Sequence, residues 1–373
     1  MDRLVCTKCN EKFSLDEKVW QCKCEGLLDI DFKSPFPVDK IKGRKLTMWR
    51  YKEAIPLLDD RNIISFDEGF TPLTDVAFNG KSVLVKQDHL FPTGSYKDRG
   101  ASVLVSKVRE LGVRKVVEDS SGNAGCAIAA YCAKAKIDCE IYVPEDTSAG
   151  KLAQIQFYGA KLKKIPGSRE DTAHAVLKAA EEYYYASHSW NPFFFHGTKT
   201  FAFEVCEQLG WKSPDTVILP VGNGTLLLGA YFGFNELLGA GIIDKIPRII
   251  AIQSVNCAPL YRVFKENLEE IPEIDKKSVL AEGIAIAKPI RGKQIIEAVK
   301  KSNGDFIAVD DWEIKESLKD ICKKGFYIEP TAASTTAGIN NYVRRSNPDE
   351  TIVSLFTGHG LKTTEKMVKI LNE

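Results

Sequence analysis

Residues 92–100 read Pro92-Thr93-Gly94-Ser95-Tyr96-Lys97-Asp98-Arg99-Gly100. The apolar run before them, residues 82–86, predicts a strand, and apolar residues recur at helical spacing over residues 98–111. A loop that joins a strand to a helix is where parallel α/β folds place their chemistry, at the carboxyl ends of the strands. This loop brings Lys97 to the start of the helix.

Two more loops have the same setting. Residues 120–125 read Ser-Ser-Gly-Asn-Ala-Gly, residues 220–225 read Pro-Val-Gly-Asn-Gly-Thr, and each joins a predicted strand to a predicted helix. The start of a helix offers backbone N–H groups and a positive dipole end to an anion, and glycine allows close approach. Either loop alone is equally consistent with an ordinary turn. Three such loops, one with a lysine, favour a binding site.

The glycine loops do not match the common nucleotide-binding motifs. Residues 222–225 lack the Gly-Lys-Ser/Thr of a P-loop, and Leu227 stands where G-x-G-x-x-G needs its last glycine. A nucleotide kinase or a dinucleotide-dependent dehydrogenase is therefore disfavoured.

Strand and helix patterns alternate from about residue 81 to the C-terminus, which predicts parallel sheets with helices on both faces. One of the predicted helices spans residues 170–184. Residues 256–300 are interrupted by prolines and have no clear assignment. With 373 residues, the chain exceeds one domain of ~100–200 residues, so two lobes and a small appendage are expected.

The composition is that of an ordinary globular protein. Hydrophobic residues make up 44% and charged residues 27%, and the formal net charge of +1 indicates neither a nucleic-acid nor a membrane partner. No apolar run reaches the ~18–20 residues of a membrane span, and the N-terminus does not resemble a signal peptide. A cytoplasmic location is therefore expected, where the ten cysteines would be thiols or metal ligands.

Taken together, the three loops resemble the motifs of a known family. Residues 92–100 look like the lysine motif of fold-type II pyridoxal-phosphate enzymes, particularly threonine synthases, and residues 120–125 and 222–225 resemble their substrate-carboxylate and cofactor-phosphate loops. Residues 197–204, Gly-Thr-Lys-Thr-Phe-Ala-Phe-Glu, and 357–362, Thr-Gly-His-Gly-Leu-Lys, are similar to further threonine synthase stretches. The resemblance runs from about residue 66 to the C-terminus, and some archaeal members share the cysteine-bearing N-terminus.

The resemblance implies an α/β fold of type II, with two parallel-sheet αβα domains and an N-terminal zinc-ribbon-like segment. The expected division is residues 1–30 for the zinc-ribbon-like segment, 31–97 with 206–373 for the large domain that binds pyridoxal phosphate, and 98–205 for the small α/β domain. A homodimer is expected from the family alone.

The resemblance also assigns the cofactor contacts. Lys97 would hold pyridoxal 5′-phosphate as a Schiff base and later shuttle protons, a role that suits a lysine at a buried helix start, where desolvation and the dipole disfavour the ammonium. The alternative is an ordinary surface lysine. The other cofactor-binding residues would be Asn123 at the 3′ oxygen, Gly222, Asn223, Gly224 and Thr225 at the phosphate, and Thr357 at the pyridine nitrogen.

Thr357 has a second interpretation, because a threonine at a strand end can cap the helix that follows. If it faces the pyridine nitrogen, a hydroxyl there does not enforce a protonated ring, and the electron sink is moderated.

The small amino-acid substrate implied by the resemblance is O-phosphohomoserine, which a lyase would convert with water to threonine and phosphate. The candidate substrate-binding residues are Ser95, Arg99, Ser120, Ser121 and Lys199. Asp98 and Arg99 could instead form an ordinary pair at the start of the helix.

Some residues depart from the family pattern. Tyr96 replaces the usual phenylalanine, aromatic residues follow Asn191-Pro192, and Thr225 replaces a small residue. Serine or threonine dehydratase, or a β-replacement enzyme such as a cysteate synthase, therefore stays open, and so does a protein that binds the cofactor without catalysis. His89, His196 and His359 lie near motifs and are expected to be hydrogen-bonded structural residues.

Four cysteines near the N-terminus form Cys6-x-x-Cys9 and Cys22-x-Cys24. Four thiolates at such spacing suit a tetrahedral structural zinc site, which would fold a ribbon too short to have its own core. Four free thiols in a mobile tail are the alternative.

Overall fold

The computed structural model describes residues 2–33, 35–275 and 277–372. Within these residues the chain forms strands and α-helices joined by turns and short 3₁₀ segments. The strands are β1 (Arg3–Cys6), β2 (Lys12–Ser14), β3 (Leu28–Asp31), β4 (Leu73–Phe78), β5 (Lys81–Lys86), β6 (Lys115–Glu118), β7 (Asp138–Pro144), β8 (Lys161–Ile165), β9 (Tyr184–Tyr185), β10 (Thr216–Pro220), β11 (Arg248–Ser254), β12 (Asp305–Val309) and β13 (Ile352–Leu355). The helices are α1 (Val38–Lys42), α2 (Lys97–Glu110), α3 (Asn123–Ala135), α4 (Ala149–Phe157), α5 (Arg169–Ala179), α6 (Pro192–Thr198), α7 (Thr200–Gln208), α8 (Thr225–Gly239), α9 (Pro259–Glu266), α10 (Gly292–Lys301), α11 (Asp311–Lys323), α12 (Pro330–Val343) and α13 (Thr364–Asn372).

The chain divides into two compact units. Unit 1 comprises Met1–Gly69 and Ser95–Thr200, and unit 2 comprises Phe70–Gly94 and Phe201–Glu373. Residues 31–69 thus cluster with the N-terminal segment and with most of the residues expected to form the small domain. The functional domain boundaries given above stay a prediction.

Unit 1 contains two sheets. Strands β8, β7, β6 and β9 form a parallel sheet in that order, and β2, β1 and β3 form an antiparallel ribbon. Leu4 and Leu28 of the ribbon belong to the same buried core as Trp49 and as Leu104 of α2. The ribbon is therefore packed into the core of unit 1. On its own, the ribbon would bury too little apolar surface to be stable.

Unit 2 is built on one mixed sheet in the order β12-β11-β10-β13-β5-β4, in which only the edge pair β4 and β5 is antiparallel. Strand β10 is buried at every residue, as expected for a parallel strand covered by helices on both faces.

The parallel sheet of unit 1 and the mostly parallel sheet of unit 2 confirm the α/β class, and most predicted elements lie within a few residues of their predicted ends. The helix predicted over residues 170–184 is wrong at its C-terminal end. Helix α5 ends at Ala179, and Tyr184 and Tyr185 form β9, paired in parallel with Val116 and Val117 of β6. Both tyrosines are buried there, so burial against the sheet decides their structure rather than helical periodicity.

The unassigned residues 256–300 include two helices. Pro259 is the first residue of α9, where its missing N–H costs nothing, and α10 begins at Gly292. In the described part of the chain, no helix combines the length and the apolar character that crossing a membrane requires.

Candidate functional site

Lys97 is the first residue of α2, one position earlier than the predicted helix start. The Asp98 N–H donates to the Ser95 carbonyl oxygen at 3.3 Å, which closes the turn before the helix. The Lys97 Nζ atom lies 5.0 Å from the centre of the Tyr96 ring and 5.5 Å from that of the Phe194 ring. The half-buried amine therefore faces two aromatic rings of unit 1.

Ser95, a candidate substrate-binding residue, has an unsatisfied hydroxyl. The residue is fully buried, and its Oγ atom has no hydrogen-bond partner among the described residues. Burying a hydroxyl without a partner costs about 1–3 kcal/mol, so such groups are rare and call for an explanation. A bound molecule next to Lys97 would supply the missing bond, so the position fits the predicted role.

Helix α6 packs directly on the start of α2, and two glycines allow the approach. A Cβ atom at Gly100 would lie 2.3 Å from the Phe194 ring, and one at Gly197 would lie 2.0 Å from the Arg99 carbonyl oxygen. Real Cβ atoms do not come this close to other atoms, so both positions require glycine. The contact joins the lysine motif to the start of the motif at residues 197–204.

Arg99 and Lys199 are fully buried cations on these two packed segments. The Arg99 Nη1 group donates to Thr200 Oγ1 at 3.0 Å, and the Lys199 Nζ atom lies 2.8 Å from His196 Nδ1. Burial, with Lys199 as a second cause, holds the pKa of His196 well below its usual value. His196 is therefore neutral, and its Nδ1 atom accepts a hydrogen bond from the Lys199 ammonium, which confirms a hydrogen-bonded role for this histidine.

Asn123 is the first residue of α3, and no side chain caps this end of the helix. Ser120 Oγ accepts from the Gly122 N–H at 3.3 Å. A Cβ atom at Gly125 would lie 1.9 Å from the Ser120 carbonyl oxygen, so the loop folds back on the helix too closely for any other residue. Ser120, Ser121 and Asn123 keep part of their surface exposed, which leaves the helix start accessible to an anion.

The second glycine loop lies in unit 2 between β10 and α8. Gly224 adopts a left-handed conformation with φ of 76°, and Thr225 is the first residue of the 15-residue helix. No side chain caps the start of α8, and Thr225 is almost fully buried. A Cβ atom at Gly222 would lie 3.0 Å from Ile286 Cγ1, so the neighbouring loop holds the backbone closely. The uncapped start of a long helix fits the phosphate of a cofactor.

Thr357 follows β13 in unit 2 and has a partner that the sequence did not reveal. Its Oγ1 atom donates to Glu329 Oε1 at 2.9 Å, and both residues are buried. A Cβ atom at Gly358 would lie 2.4 Å from the Glu329 carboxyl carbon, so the chain passes directly over this carboxylate. Glu329 immediately precedes Pro330, the first residue of α12; this Glu-Pro pair signals a helix start but not the contact with Thr357.

The predicted residues fall into two groups. Unit 2 holds residues 222–225 and Thr357. Unit 1 holds Lys97, Asn123, Ser95, Arg99, Ser120, Ser121 and Lys199, together with the four cysteines of the ribbon.

The four predicted metal ligands converge in the ribbon. The Sγ atoms of Cys6, Cys9, Cys22 and Cys24 all lie within 4.8 Å of one another, with Cys6 to Cys24 at 3.5 Å and Cys9 to Cys22 at 3.6 Å. Tetrahedral zinc with Zn–S bonds of about 2.3 Å needs sulfur atoms about 3.8 Å apart, so the donor set fits zinc. A Cβ atom at Gly26 would lie 2.4 Å from Cys6 Sγ, so the chain wraps tightly around the cluster.

Backbone groups favour the thiolate form of Cys6. Burial opposes ionisation of this thiol, but the N–H groups of Cys9 and Lys8, together with the thiols of Cys24 and Cys9, outweigh that effect and lower its pKa to about 6. Those N–H groups lie 3.5 and 3.4 Å from Cys6 Sγ, respectively. N–H donors around a sulfur are suited to a metal-bound thiolate.

Comparison with known proteins identifies the family. The family model of the pyridoxal-phosphate dependent enzymes matches residues 64–358. The chain is 37% identical to the threonine synthase of Methanocaldococcus jannaschii, over 99% of this chain and 95% of that protein. It is 34% identical to the threonine synthase of Methanosarcina acetivorans, over 100% of this chain and 95% of that protein.

Solved structures share the fold. Serine racemase from Dictyostelium discoideum matches with a TM-score of 0.66 at 25% identity, covering 85% of this chain and 99% of that chain. Threonine deaminase isoform 2 from Solanum lycopersicum matches with a TM-score of 0.70 at 19% identity, covering 91% of this chain and 90% of that chain. Because the family model and the nearly full-length relatives agree with this fold, the chain belongs to the threonine synthase family of fold-type II pyridoxal-phosphate-dependent enzymes.

Proposed function

We propose that this pyridoxal-phosphate-dependent lyase converts O-phosphohomoserine and water to threonine and phosphate. Its nearly full-length relatives are threonine synthases. The observation within the chain that carries the proposal is the pair of buried cations, Arg99 and Lys199, on the segments that pack at Lys97. A phosphorylated substrate brings a dianion into the site, and buried cations with several N–H donors are suited to hold it.

Lys97 is the residue that we assign to the covalent link with the cofactor. When bound, pyridoxal phosphate supplies a ring that withdraws electrons from the substrate carbons. The free Lys97 amine then takes protons from the substrate carbons and returns them. The Tyr96 and Phe194 rings cover the amine and limit its contact with water.

The remaining cofactor contacts follow from the two uncapped helix starts. Gly222, Asn223, Gly224 and Thr225, at the start of α8, would bind the phosphate through backbone N–H groups and the Thr225 hydroxyl. Asn123, at the start of α3, would donate to the 3′ oxygen.

The contact between Thr357 and Glu329 bears on the pyridine nitrogen. The Thr357 hydroxyl donates its hydrogen bond to Glu329. The Thr357 oxygen can therefore only accept a hydrogen bond from a further partner. An acceptor at this position favours a protonated pyridine nitrogen, and hence a stronger electron sink than an unconstrained hydroxyl would give.

The substrate would be held by side chains of unit 1. Ser120 and Ser121, beside the start of α3, are suited to the substrate carboxylate, and Ser95 offers the unsatisfied hydroxyl next to Lys97. Arg99 and Lys199 would then bind the distal phosphate.

One observation favours a second candidate, dehydration of serine or threonine, or β-replacement of the kind a cysteate synthase performs. Phe193, Phe194 and Phe195 are all buried in α6, and Phe194 lies against Lys97. An apolar surface at the amine offers few hydrogen bonds to a long phosphorylated side chain. The short side chain of serine or threonine needs fewer such hydrogen bonds.

A panel of substrates tests the proposal. Purified protein loaded with pyridoxal phosphate is given O-phosphohomoserine, serine, threonine or O-phosphoserine, and inorganic phosphate, ammonia and keto acid are measured. Phosphate and threonine from O-phosphohomoserine support the leading function, whereas keto acid and ammonia from serine would replace it. Absence of any product would favour a cofactor-binding protein without catalysis.

Lys97→Ala tests the covalent link. Borohydride should fix the cofactor to the wild-type chain and to Lys163→Ala, an exposed lysine variant of the same unit, but not to Lys97→Ala. Absorption near ~410–420 nm should be lost in Lys97→Ala and retained in Lys163→Ala. A reducible link that persists in Lys97→Ala would refute the assignment.

We also propose that Cys6, Cys9, Cys22 and Cys24 bind one structural zinc ion. Protein purified without chelators should contain about one zinc per chain, and Cys9→Ser should lose it while Cys322→Ser, a cysteine of unit 2, should keep it. Native protein that contains no metal, and whose four ribbon cysteines all react with iodoacetamide, would contradict the zinc site.

A cytoplasmic homodimer completes the proposal, by analogy with the family. Light scattering coupled to size exclusion should give twice the chain mass of 41.5 kDa.

A further inference from the structure

In unit 1, the buried Glu118 is hydrogen-bonded to His188. Neither residue has a part in the function proposed above. Glu118 is the last residue of β6 and is fully buried, and its Oε1 atom lies 2.7 Å from His188 Nδ1. His188 follows β9, which pairs in parallel with β6. The two side chains therefore leave neighbouring strands at their carboxyl ends, the edge where parallel sheets place catalytic groups.

Phe194 connects the pair to Lys97. The His188 and Phe194 ring centres are 6.0 Å apart with the planes inclined at 68°, and the Lys97 Nζ atom lies 5.5 Å from the centre of the same Phe194 ring. The imidazole and the Lys97 amine thus pack against the same aromatic ring.

The pKa shifts of the two groups favour the state in which Glu118 is protonated and His188 is neutral. Burial and then the neighbouring Asp119 carboxylate raise the pKa of Glu118 well above its usual value, although Arg169 and the backbone N–H groups of Asp119 and His188 act against them. Burial and then Lys97 and Arg169 lower the pKa of His188. Protonated Glu118 then donates to Nδ1, which fixes the tautomer of His188 with its hydrogen on Nε2.

The surroundings of Glu118 Oε2 and His188 Nε2 are consistent with a protonated Glu118 and with a substrate bound at His188. Glu118 Oε2 is buried without a hydrogen-bond partner in the described part of the chain, which is less costly for a neutral acid than for a carboxylate. His188 Nε2 makes no hydrogen bond within the described residues, and the side chain keeps 11% of its surface exposed. Glu118 fixes the imidazole at Nδ1, and Nε2 stays available as a donor. Such an imidazole is suited to donate to a substrate atom.

We propose that His188 is the acid that protonates the departing oxygen of the substrate, and that Glu118 positions His188 and supplies the proton. This inference rests on the function proposed above. A phosphate ester dianion that loses its C–O bond would depart as the strongly basic trianion, so its departure requires a proton. Serine or threonine as substrate would make the same demand, since hydroxide would otherwise have to leave.

The Lys97 amine removes a proton from a substrate carbon, the electrons of that C–H bond form a C=C bond, and the C–O electron pair leaves with the oxygen. His188 Nε2 gives its proton to that oxygen, and Nδ1 takes the proton of Glu118. Lys97 gains a positive charge as Glu118 gains a negative one, so the proton transfers do not add a net charge among the buried groups. In the second half of the reaction Lys97 returns its proton to the substrate, and the added water gives hydroxide to a substrate carbon and its remaining proton to Glu118.

Glu118→Gln is the central test, because it keeps the shape and the hydrogen bond. The Gln amide still donates to His188 Nδ1, so Nε2 still carries a hydrogen and binds substrate, but no proton can pass through the pair. With O-phosphohomoserine we expect kcat to fall about 100-fold, the lower end for loss of general acid catalysis, and KM to stay within about threefold. His188→Asn should lose at least as much, and His174→Asn, an exposed histidine of the same unit, should match the wild type.

Deuterium exchange separates this role from a structural one. Exchange of the substrate Cα hydrogen in D₂O depends on Lys97 alone, so it should continue within about threefold in Glu118→Gln while phosphate release falls. If exchange and release fall together, the pair is merely structural and the proposal is overturned. If His188→Asn does not fold, Glu118→Gln carries the test by itself.

Failure of the proposed role of Glu118 and His188 can be distinguished from failure of the proposed function. Wild-type release of phosphate with unchanged kcat in Glu118→Gln and His188→Asn would overturn the dyad and leave the function intact. If the wild type releases no phosphate but forms keto acid from serine, the proposed function fails. The dyad then faces the same exchange and kcat measurements with serine.

Discussion

Removing one partner of the buried ion pair of Lys86 and Glu204 should strongly destabilise unit 2. The Lys86 Nζ atom lies 2.7 Å from Glu204 Oε2, and both side chains are completely buried. The same ammonium donates to the Thr71 carbonyl oxygen at 2.7 Å and to Gln208 Oε1 at 2.9 Å. Three acceptors thus surround the three N–H donors, and the pair ties α7 to β5.

Glu204→Gln removes the charge and preserves the shape. Removing one partner of a buried pair typically costs 3–5 kcal/mol, because the other charge stays buried without compensation. The amide oxygen of Gln still accepts from the ammonium, so we expect a loss of about 3 kcal/mol. For a unit of this size, 1 kcal/mol corresponds to roughly 2–4 °C in melting temperature, so a decrease of about 6–12 °C follows.

Thermal unfolding followed by circular dichroism measures this loss, with a double-mutant cycle. Lys86→Met alone should cost about as much, because it leaves the carboxylate unpaired, and Lys86→Met with Glu204→Gln should cost about 2 kcal/mol less than the sum. The control is Glu297→Gln in the exposed pair with Lys301, where less than about 0.5 kcal/mol should change. Additive losses, or a Glu204→Gln loss as small as that of the control, would refute the reasoning.

Three further predictions concern the loops and buried groups. Gly125→Ala places a Cβ atom 1.9 Å from the Ser120 carbonyl oxygen, so it should cost about 1–3 kcal/mol and weaken cofactor binding measured by absorbance, whereas Gly43→Ala, with open space around it, should not. Burial and then His359 lower the pKa of His89 to about 4, so below pH 6.5 the unfolded chain binds a proton that the folded chain does not. Stability should therefore fall by about 2 kcal/mol from pH 7 to 5 in urea unfolding, and His89→Gln should remove that part of the loss. Glu329→Leu removes the acceptor of the Thr357 hydroxyl, so turnover should fall at least tenfold with cofactor content unchanged; equal turnover would contradict the role of Glu329.

Local sequence patterns suffice for the elements whose structure depends on near neighbours. The strand, loop and helix around Lys97 lie within a few residues of their predicted ends, because the apolar spacing and the loop residues report local geometry directly. The cysteine spacing likewise predicts the cluster, since C-x-x-C and C-x-C hairpins bring sulfur atoms together wherever the ribbon pairs.

Periodicity was misleading where tertiary burial took over. Residues 180–184 were predicted to continue the helix, yet Tyr184 and Tyr185 bury their rings by adding a strand to β6. The ribbon shows the same effect, because Trp20 packs edge-on against Tyr185 and Trp190 at ring distances of 5.0 and 5.8 Å. Neither contact has a signal in the segment that makes it.

What the sequence by itself determined is the α/β class, the loop that carries Lys97, the two glycine loops and the cluster of four cysteines. Each depends on residues that are close along the chain. Only the tertiary structure decided the partners of the buried polar groups, such as Glu118 with His188, 70 residues away, and Thr357 with Glu329, 28 residues away. The physical reason is that a hydrogen bond or a pKa depends on distance and burial in space, and the fold sets both by bringing together strand ends that are remote in sequence.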